Sequence, residues 1–287
     1  MLTRRGFVKL VGGTAAAASI VGCGDNLKLP RGLFLDERGW ATIDIATGIV
    51  FPGSLGARDC GVVAYIDKLL AAFDVTPPAI FAGGPYSGRT AFPDAHGAPT
   101  KQVPDDAFAT FLPLPRTKEL AWRMRLYGTA QTPGGDFNDA LLGPTVGYRD
   151  LYADGIRRLD EVAAMNNPDK LPFRWVTPAE QGLALDTVAS ELPAFYQALV
   201  EHTLEGMFGA PEYGGNAFSY GWRLTGYDGD SAPLGHAFYD ETQDLYVDRP
   251  DQPTAQPSPD AHTEDFDDDV LNLLTIAAVG SGGKRFF

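Results

Sequence analysis

Residues 192–216, LPAFYQALVEHTLEGMFGAPEYGGN, repeat Phe195, Leu199, Thr203 and Met207 at four-residue spacing. Side chains four apart lie one above another on a helix, so the run reads as an α-helix from about Leu192 to Phe208. Gly206 and Gly209 end it. Tyr213-Gly214-Gly215-Asn216 then asks for backbone conformations that glycine and asparagine adopt most easily. An aromatic strip follows, Tyr220-Gly221-Trp222 through Tyr227. Two readings of this corner stand together: a polar turn beside large aromatics can anchor a partner, and the same turn can be a tight structural corner packed on the core.

Working outward, the same periodicity recurs. Val62, Tyr65, Ile66, Leu69, Leu70 and Phe73 form one apolar helical stripe, and Tyr148, Leu151, Tyr152, Ile156, Leu159 and Val162 form another, broken at Asn167-Pro168. Thr177-Pro178-Ala179-Glu180 supplies an N-cap threonine, a proline at the first helical position and a glutamate able to reach back to the cap, so a helix starts there. Thr117–Tyr127 reads as a short helix and Thr132-Pro133-Gly134-Gly135 as a turn. Residues 34–51, with Trp40, Ile43 and Ile49, fit helix or strand, and helix is favoured. Residues 74–116 carry Gly83-Gly84-Pro85, Pro104, Pro113 and Pro115, which leaves room for little regular structure. The expected fold is mainly α, an irregular helical domain with long Pro/Gly-rich coil insertions.

The N-terminus reads as an address. Thr3-Arg4-Arg5-Gly6-Phe7-Val8-Lys9 resembles a twin-arginine export motif, in which Arg4, Arg5, Phe7 and Lys9 are the signal residues, and a short apolar stretch to Gly22 follows. Ile20-Val21-Gly22-Cys23 resembles a lipobox, making Cys23 the lipidated residue. The expected organisation is a signal peptide at 1–22, a tether at 23–33, a helical domain at 34–228 and a Pro-rich acidic extension at 229–287. In the extension, Pro250, Pro253, Pro257 and Pro259 read as a linker. The acidic run Glu264–Asp269 sits before an apolar helix at 270–276, whose N-terminal dipole favours carboxylates.

Charge narrows the function classes. The chain holds 23 Lys and Arg against 37 Asp and Glu, a formal net charge of −14. Arg4, Arg5 and Lys9 are the only charges before residue 23, so the exported chain retains 20 basic against 37 acidic residues, a net of −17. No basic stripe is present to neutralise phosphates, which excludes nucleic acid as a partner. An acidic body is repelled by anionic membranes, so membrane attachment falls to a lipid anchor. Cys23 and Cys60 cannot make a disulfide scaffold. With Cys23 lipidated, Cys60 is left for buried packing or an intermolecular bridge, and its place at a helix start favours packing.

Groups able to carry chemistry are sparse. The histidines are His96, His202, His236 and His262. Glu201, His202 and Glu205 share one helical neighbourhood, so a metal-bearing lipoprotein enzyme is one rival reading. A metal needs further inward ligands from other helices, and a polar helix face is the simpler account. Gly280-Ser281-Gly282-Gly283 lacks the following helix and strand of a dinucleotide site. Neither a Gly-x-Ser-x-Gly elbow nor a phosphate-binding loop occurs. No catalytic, metal or cofactor residue is therefore assigned to this chain. A sugar-binding lipoprotein is the other rival.

The motif His202-Thr203-x-Glu205-Gly206-x-Phe208-Gly209-x-Pro211-x-Tyr213-Gly214-Gly215-Asn216, followed by Gly221-Trp222-x-Leu224-x-Gly226, resembles the gluconate 2-dehydrogenase small-subunit family, also called subunit 3. Gly61–Leu70 is similar to that family's first amphipathic helix, and Tyr152–Asp160, with Gly155, Leu159 and Asp160, to a later one. The resemblance runs from about Phe51 to Tyr227. It implies a non-catalytic subunit that accompanies an FAD-bearing flavoprotein of the glucose-methanol-choline type through the twin-arginine translocase, often with a haem c cytochrome as third subunit. It also implies that His202, Glu205, Phe208, Tyr213, Gly214, Gly215, Asn216 and Trp222 contact the flavoprotein in a periplasmic, membrane-associated sugar or polyol dehydrogenase.

Overall fold

The computed structural model describes residues 32–76, 78–80, 83–86, 110–112, 114, 116–225, 236–249, 268, 271–273 and 275. Arg4, Arg5, Phe7, Lys9 and Cys23 lie outside the described residues, as do Tyr227, the four linker prolines, His96, His262 and Gly280–Gly283.

The described elements are mainly helical, as expected. They are α1 (Glu37–Val50), α2 (Val62–Leu70), α3 (Arg116–Tyr127), α4 (Gly135–Leu142), α5 (Tyr148–Asn166), α6 (Pro178–Glu191), α7 (Pro193–Phe208) and α8 (Tyr220–Thr225). Residues 34–51 resolve as helix only from Glu37, because Asp36 takes the N-cap and accepts from Gly39 N at 2.7 Å. The capping box of α6 is present: Thr177 Oγ1 accepts from Glu180 N, and Glu180 Oε2 accepts from Thr177 N at 2.8 Å. In the C-terminal extension, Asp268, residues 271–273 and Thr275 are helical, as the acidic helix start predicts.

Three segments depart from the expectation. Gly83–Tyr86 (β1) and Thr110–Leu112 (β2) pair antiparallel inside the segment read as coil. His236–Asp240 (β3) and Leu245–Arg249 (β4) form a hairpin in the extension read as linker, with Asp244 at φ 54 in its turn. Phe238, Tyr239, Tyr246 and Val247 are good strand formers, but the prolines that follow dominate the composition. Helix α4 begins within the Thr132–Gly135 turn, at Gly135, where a turn alone was expected.

Helix α7 lies at the centre and touches α1, α2, α5, α6 and α8. Its Phe195, Leu199 and Met207 bury with Ile43 of α1, Ile66 and Leu70 of α2, and Tyr152 and Leu159 of α5. Each such side chain removed from water is worth about 1.5–3 kcal/mol. The α5–α7 crossing needs Gly155, since a Cβ there would meet the Phe195 ring at 2.4 Å. Asp160 accepts from Arg38 of α1 and from Phe173 N at 2.8 Å, which ties α1, α5 and the 173–175 turn together. Among the described residues, no helix is long and apolar enough to cross a membrane.

Candidate functional site

The corner after α7 is built on Asn216, which is 0% exposed. Its Nδ2 donates to Gly209 O at 2.8 Å and its Oδ1 accepts from Gly221 N at 2.8 Å, so one side chain staples the end of α7 to the start of α8. Trp222 Nε1 donates to Phe208 O at 2.9 Å, and Ala217 N donates to Cys60 O at 3.0 Å. Two glycines are demanded by close approach: a Cβ at Gly215 would lie 2.1 Å from Gly206 O, and one at Gly221 would lie 1.8 Å from Met207 O. Cys60 is a free, buried thiol under this corner, and burial, with Asp59 adding to it, pushes the thiol up to about 11.

The corner is also strained. Asn216, Phe218 and Ser219 all have positive φ, at 48°, 54° and 55°. Asparagine tolerates this region, but for a phenylalanine it costs on the order of 1–2 kcal/mol. The buried Ser219 hydroxyl has no partner among the described residues. What the strain accomplishes is visible at Phe218, which stands 57% exposed. Its ring lies 5.7 Å from that of Tyr220, Arg223 caps the Tyr220 face at 4.5 Å, and Arg223 Nη2 donates to Phe218 O at 2.8 Å. Leu204 of α7 and Leu224 of α8 are the other large apolar side chains these elements leave exposed, at 43% and 47%. Backbone held in a costly conformation to present an apolar ring is characteristic of recognition surfaces.

A second feature is a buried polar seam where α2, α5 and α7 meet. Tyr152 Oη and His202 Nδ1 are 3.1 Å apart, their rings stack at 5.8 Å, and Tyr148 packs edge-on to His202 at 4.7 Å. Tyr65 Oη donates to Glu205 Oε2 at 2.8 Å. Burial drives the His202 imidazole down to about 3, so it stays neutral. Burial raises the Glu205 carboxyl, which the Tyr65 hydrogen bond opposes and the Glu201 charge reinforces. Burial likewise holds the Tyr65 and Tyr152 hydroxyls well above their ordinary value.

These two groups give stability opposite pH slopes. An unfolded chain takes up a proton at His202 near 6.5 and the folded chain refuses it down to about 3. Stability from His202 is therefore complete above pH 6.5 and falls as the pH drops, by roughly 1.4 kcal/mol per unit. Glu205 does the reverse: its folded form keeps the proton longer, so its contribution is present in acid and is lost as pH rises through the raised value. In urea melts between pH 7 and pH 5, His202→Gln should flatten the acid-side decline, and Glu205→Gln should gain stability at pH 7. A wild-type decline that survives His202→Gln would refute the assignment.

The eight residues expected at a partner contact divide by burial. His202, Gly215, Asn216 and Trp222 are buried within the chain and hold the corner and seam together. Glu205, Phe208, Tyr213 and Gly214 are half-buried, with Phe208 edge-on to Phe51 at 6.1 Å. Phe218, Leu204 and Leu224 are the residues that sequence reading missed. Nothing in periodicity marks Phe218 as outward, because its direction is set by the αL backbone. The rival metal set also separates: Glu201 is exposed while His202 is buried against Tyr152. Among the described residues, no three or more His, Cys, Asp or Glu side chains gather to hold a metal.

No curated protein and no solved structure matches the chain. Residues 37–229 match the sequence model of the family described as gluconate 2-dehydrogenase subunit 3, a span running from the first residue of α1 past the end of α8. The resemblance carried by the 202–226 motif thus extends over the whole helical body, and the chain belongs to the gluconate 2-dehydrogenase subunit 3 family.

Proposed function

We propose that this chain is the non-catalytic subunit and export escort of an FAD-dependent sugar or polyol dehydrogenase of the glucose-methanol-choline type. Family membership gives the coarser part: a small subunit of a dehydrogenase complex that associates with other subunits. The finer part is the division of labour. The flavin and the substrate chemistry belong to the flavoprotein, haem c to a cytochrome subunit where one is present, and no reaction step is assigned to this chain. Arg4, Arg5, Phe7 and Lys9 address the folded pair to the twin-arginine translocase, and a lipid on Cys23 retains it at a bacterial membrane on the periplasmic side. The observation that supports it is that the family's signature residues fold into a corner that leaves Phe218 exposed, with Leu204 and Leu224 exposed on the two helices that flank it. That is the contact surface assigned to the flavoprotein.

Isolation of the complex through this chain tests the reading, since a flavoprotein should come with it in stoichiometric amount. A preparation without one removes the proposal. The escort role has its own test: Arg4→Lys with Arg5→Lys should leave the flavoprotein's dehydrogenase activity in the cytoplasm, and undiminished periplasmic activity would sink the export role alone.

A further inference from the structure

Chain entering the helical body is held by two side chains. Asp67, buried on α2, accepts three backbone N–H groups from the segment that precedes α1: Leu33 to Oδ2 at 2.7 Å, Phe34 to Oδ1 at 2.9 Å and Leu35 to Oδ1 at 2.8 Å. Fit is close enough that a Cβ at Gly32 would lie 2.1 Å from Asp67 Oδ1. Arg149 of α5 closes the other side. Its guanidinium lies 4.9 Å from the Phe34 ring centre and 4.6 Å from that of Tyr127, while its Nε donates to Leu70 O at 2.7 Å and it pairs with Asp74. Three backbone residues just ahead of a helix are thereby locked to α2, and the Phe34 ring is held by α5, where an N-cap alone would suffice to start α1.

We propose that Asp67 and Arg149 form a latch that orients the body on the bilayer, holding the face around the outward-pointing Leu33 toward the lipid headgroups. This rests on the lipid anchor at Cys23 proposed above. Nine Cα–Cα steps separate Cys23 from Gly32, so the latched residue stays within about 30 Å of the anchored cysteine however the tether runs. A body of this size is roughly 40 Å across, so an unlatched segment would leave either side free to face the membrane. Net charge adds no attraction, because a chain of net −17 is repelled as a whole by anionic lipid. The device is mechanical: ordered backbone shortens the leash and fixes where it leaves. Leu33, 62% exposed at that exit, is the apolar side chain placed to meet the headgroups.

Energy transfer to a lipid-borne acceptor tests it on the full-length lipidated protein in phosphatidylcholine vesicles. A donor is carried at Leu33→Cys or at Leu183→Cys, the latter on the exposed face of α6, which packs on α5 and α7. Cys60 is buried and stays unlabelled. Transfer from position 33 should exceed that from position 183 by at least about twofold, and Asp67→Ala should bring the two close to equality. Vesicle flotation separates the failures. Protein that floats yet gives equal transfer from both positions overturns the orientation alone, whereas protein that does not float overturns the anchor and the orientation with it. Asp67→Asn keeps the side-chain volume and serves where Asp67→Ala loses the fold. In it the amides of Leu33, Phe34 and Leu35 should exchange at least about tenfold faster than in the wild type, and unchanged protection overturns the latch.

Discussion

Gly221→Ala is expected to lower the stability of the chain by more than about 4 kcal/mol, a large part of what a domain of this size possesses. The new methyl group would sit 1.8 Å from Met207 O and 2.8 Å from Met207 C, both main-chain atoms in the last turn of α7. Flexible side chains can give way to a methyl, but a helix carbonyl cannot. Any retreat of α8 would pull Gly221 N from Asn216 Oδ1 and Trp222 Nε1 from Phe208 O, exposing buried polar groups that each cost about 1–3 kcal/mol when unpaired. Urea unfolding followed by circular dichroism measures it. Gly182→Ala is the matched control: Gly182 is inside α6 with nothing within 4 Å of its Cβ position, so alanine there should add about 0.5–1 kcal/mol. Similar stabilities for the two variants would mean that the corner yields freely and does not position Phe218.

Phe218→Asn should separate folding from recognition. Asparagine suits a φ of 54° better than phenylalanine, and the lost ring is mostly in water, so the isolated chain should keep its melting temperature or gain up to about 1 kcal/mol. Capture of the flavoprotein should nonetheless weaken by at least about tenfold, since a rigidly presented aromatic is the kind of residue on which interface energy concentrates. A gain in stability joined to a loss of association is the pattern expected where strain is kept for function. Undiminished capture by a folded Phe218→Asn chain would move the contact surface elsewhere.

Particular residues show how far the sequence could be read. Thr177, Pro178 and Glu180 form their capping box because its chemistry is complete within four residues. The stripes of α2, α5 and α7 are likewise visible, since the helical repeat alone selects the face that must leave water. The β3–β4 hairpin is obscured in the composition by the prolines downstream, although Phe238, Tyr239, Tyr246 and Val247 suit strands. The burial of His202 and Trp222 is not written in the motif that contains them. A polar or aromatic residue in a specific motif looks the same in sequence whether it faces a partner or satisfies its own core.

What the chain's order of residues determined by itself was local or compositional: helix starts, apolar faces, the glycine corner, the acidic charge and the family motif. Short-range backbone chemistry and the burial of a periodic face act within a few residues of one another, so they leave a mark in the linear text. Tertiary structure alone decided which motif residues point inward, that Phe218 points outward, and that Asp67 grips the segment leading into α1. The inward packing and the grip of Asp67 depend on atoms from elements far apart in the chain meeting at fixed distances, as Ala217 N does with Cys60 O, Tyr152 with His202, or Asp67 with Leu33 to Leu35. Spacing along the sequence carries no record of such meetings, because packing and not periodicity sets them.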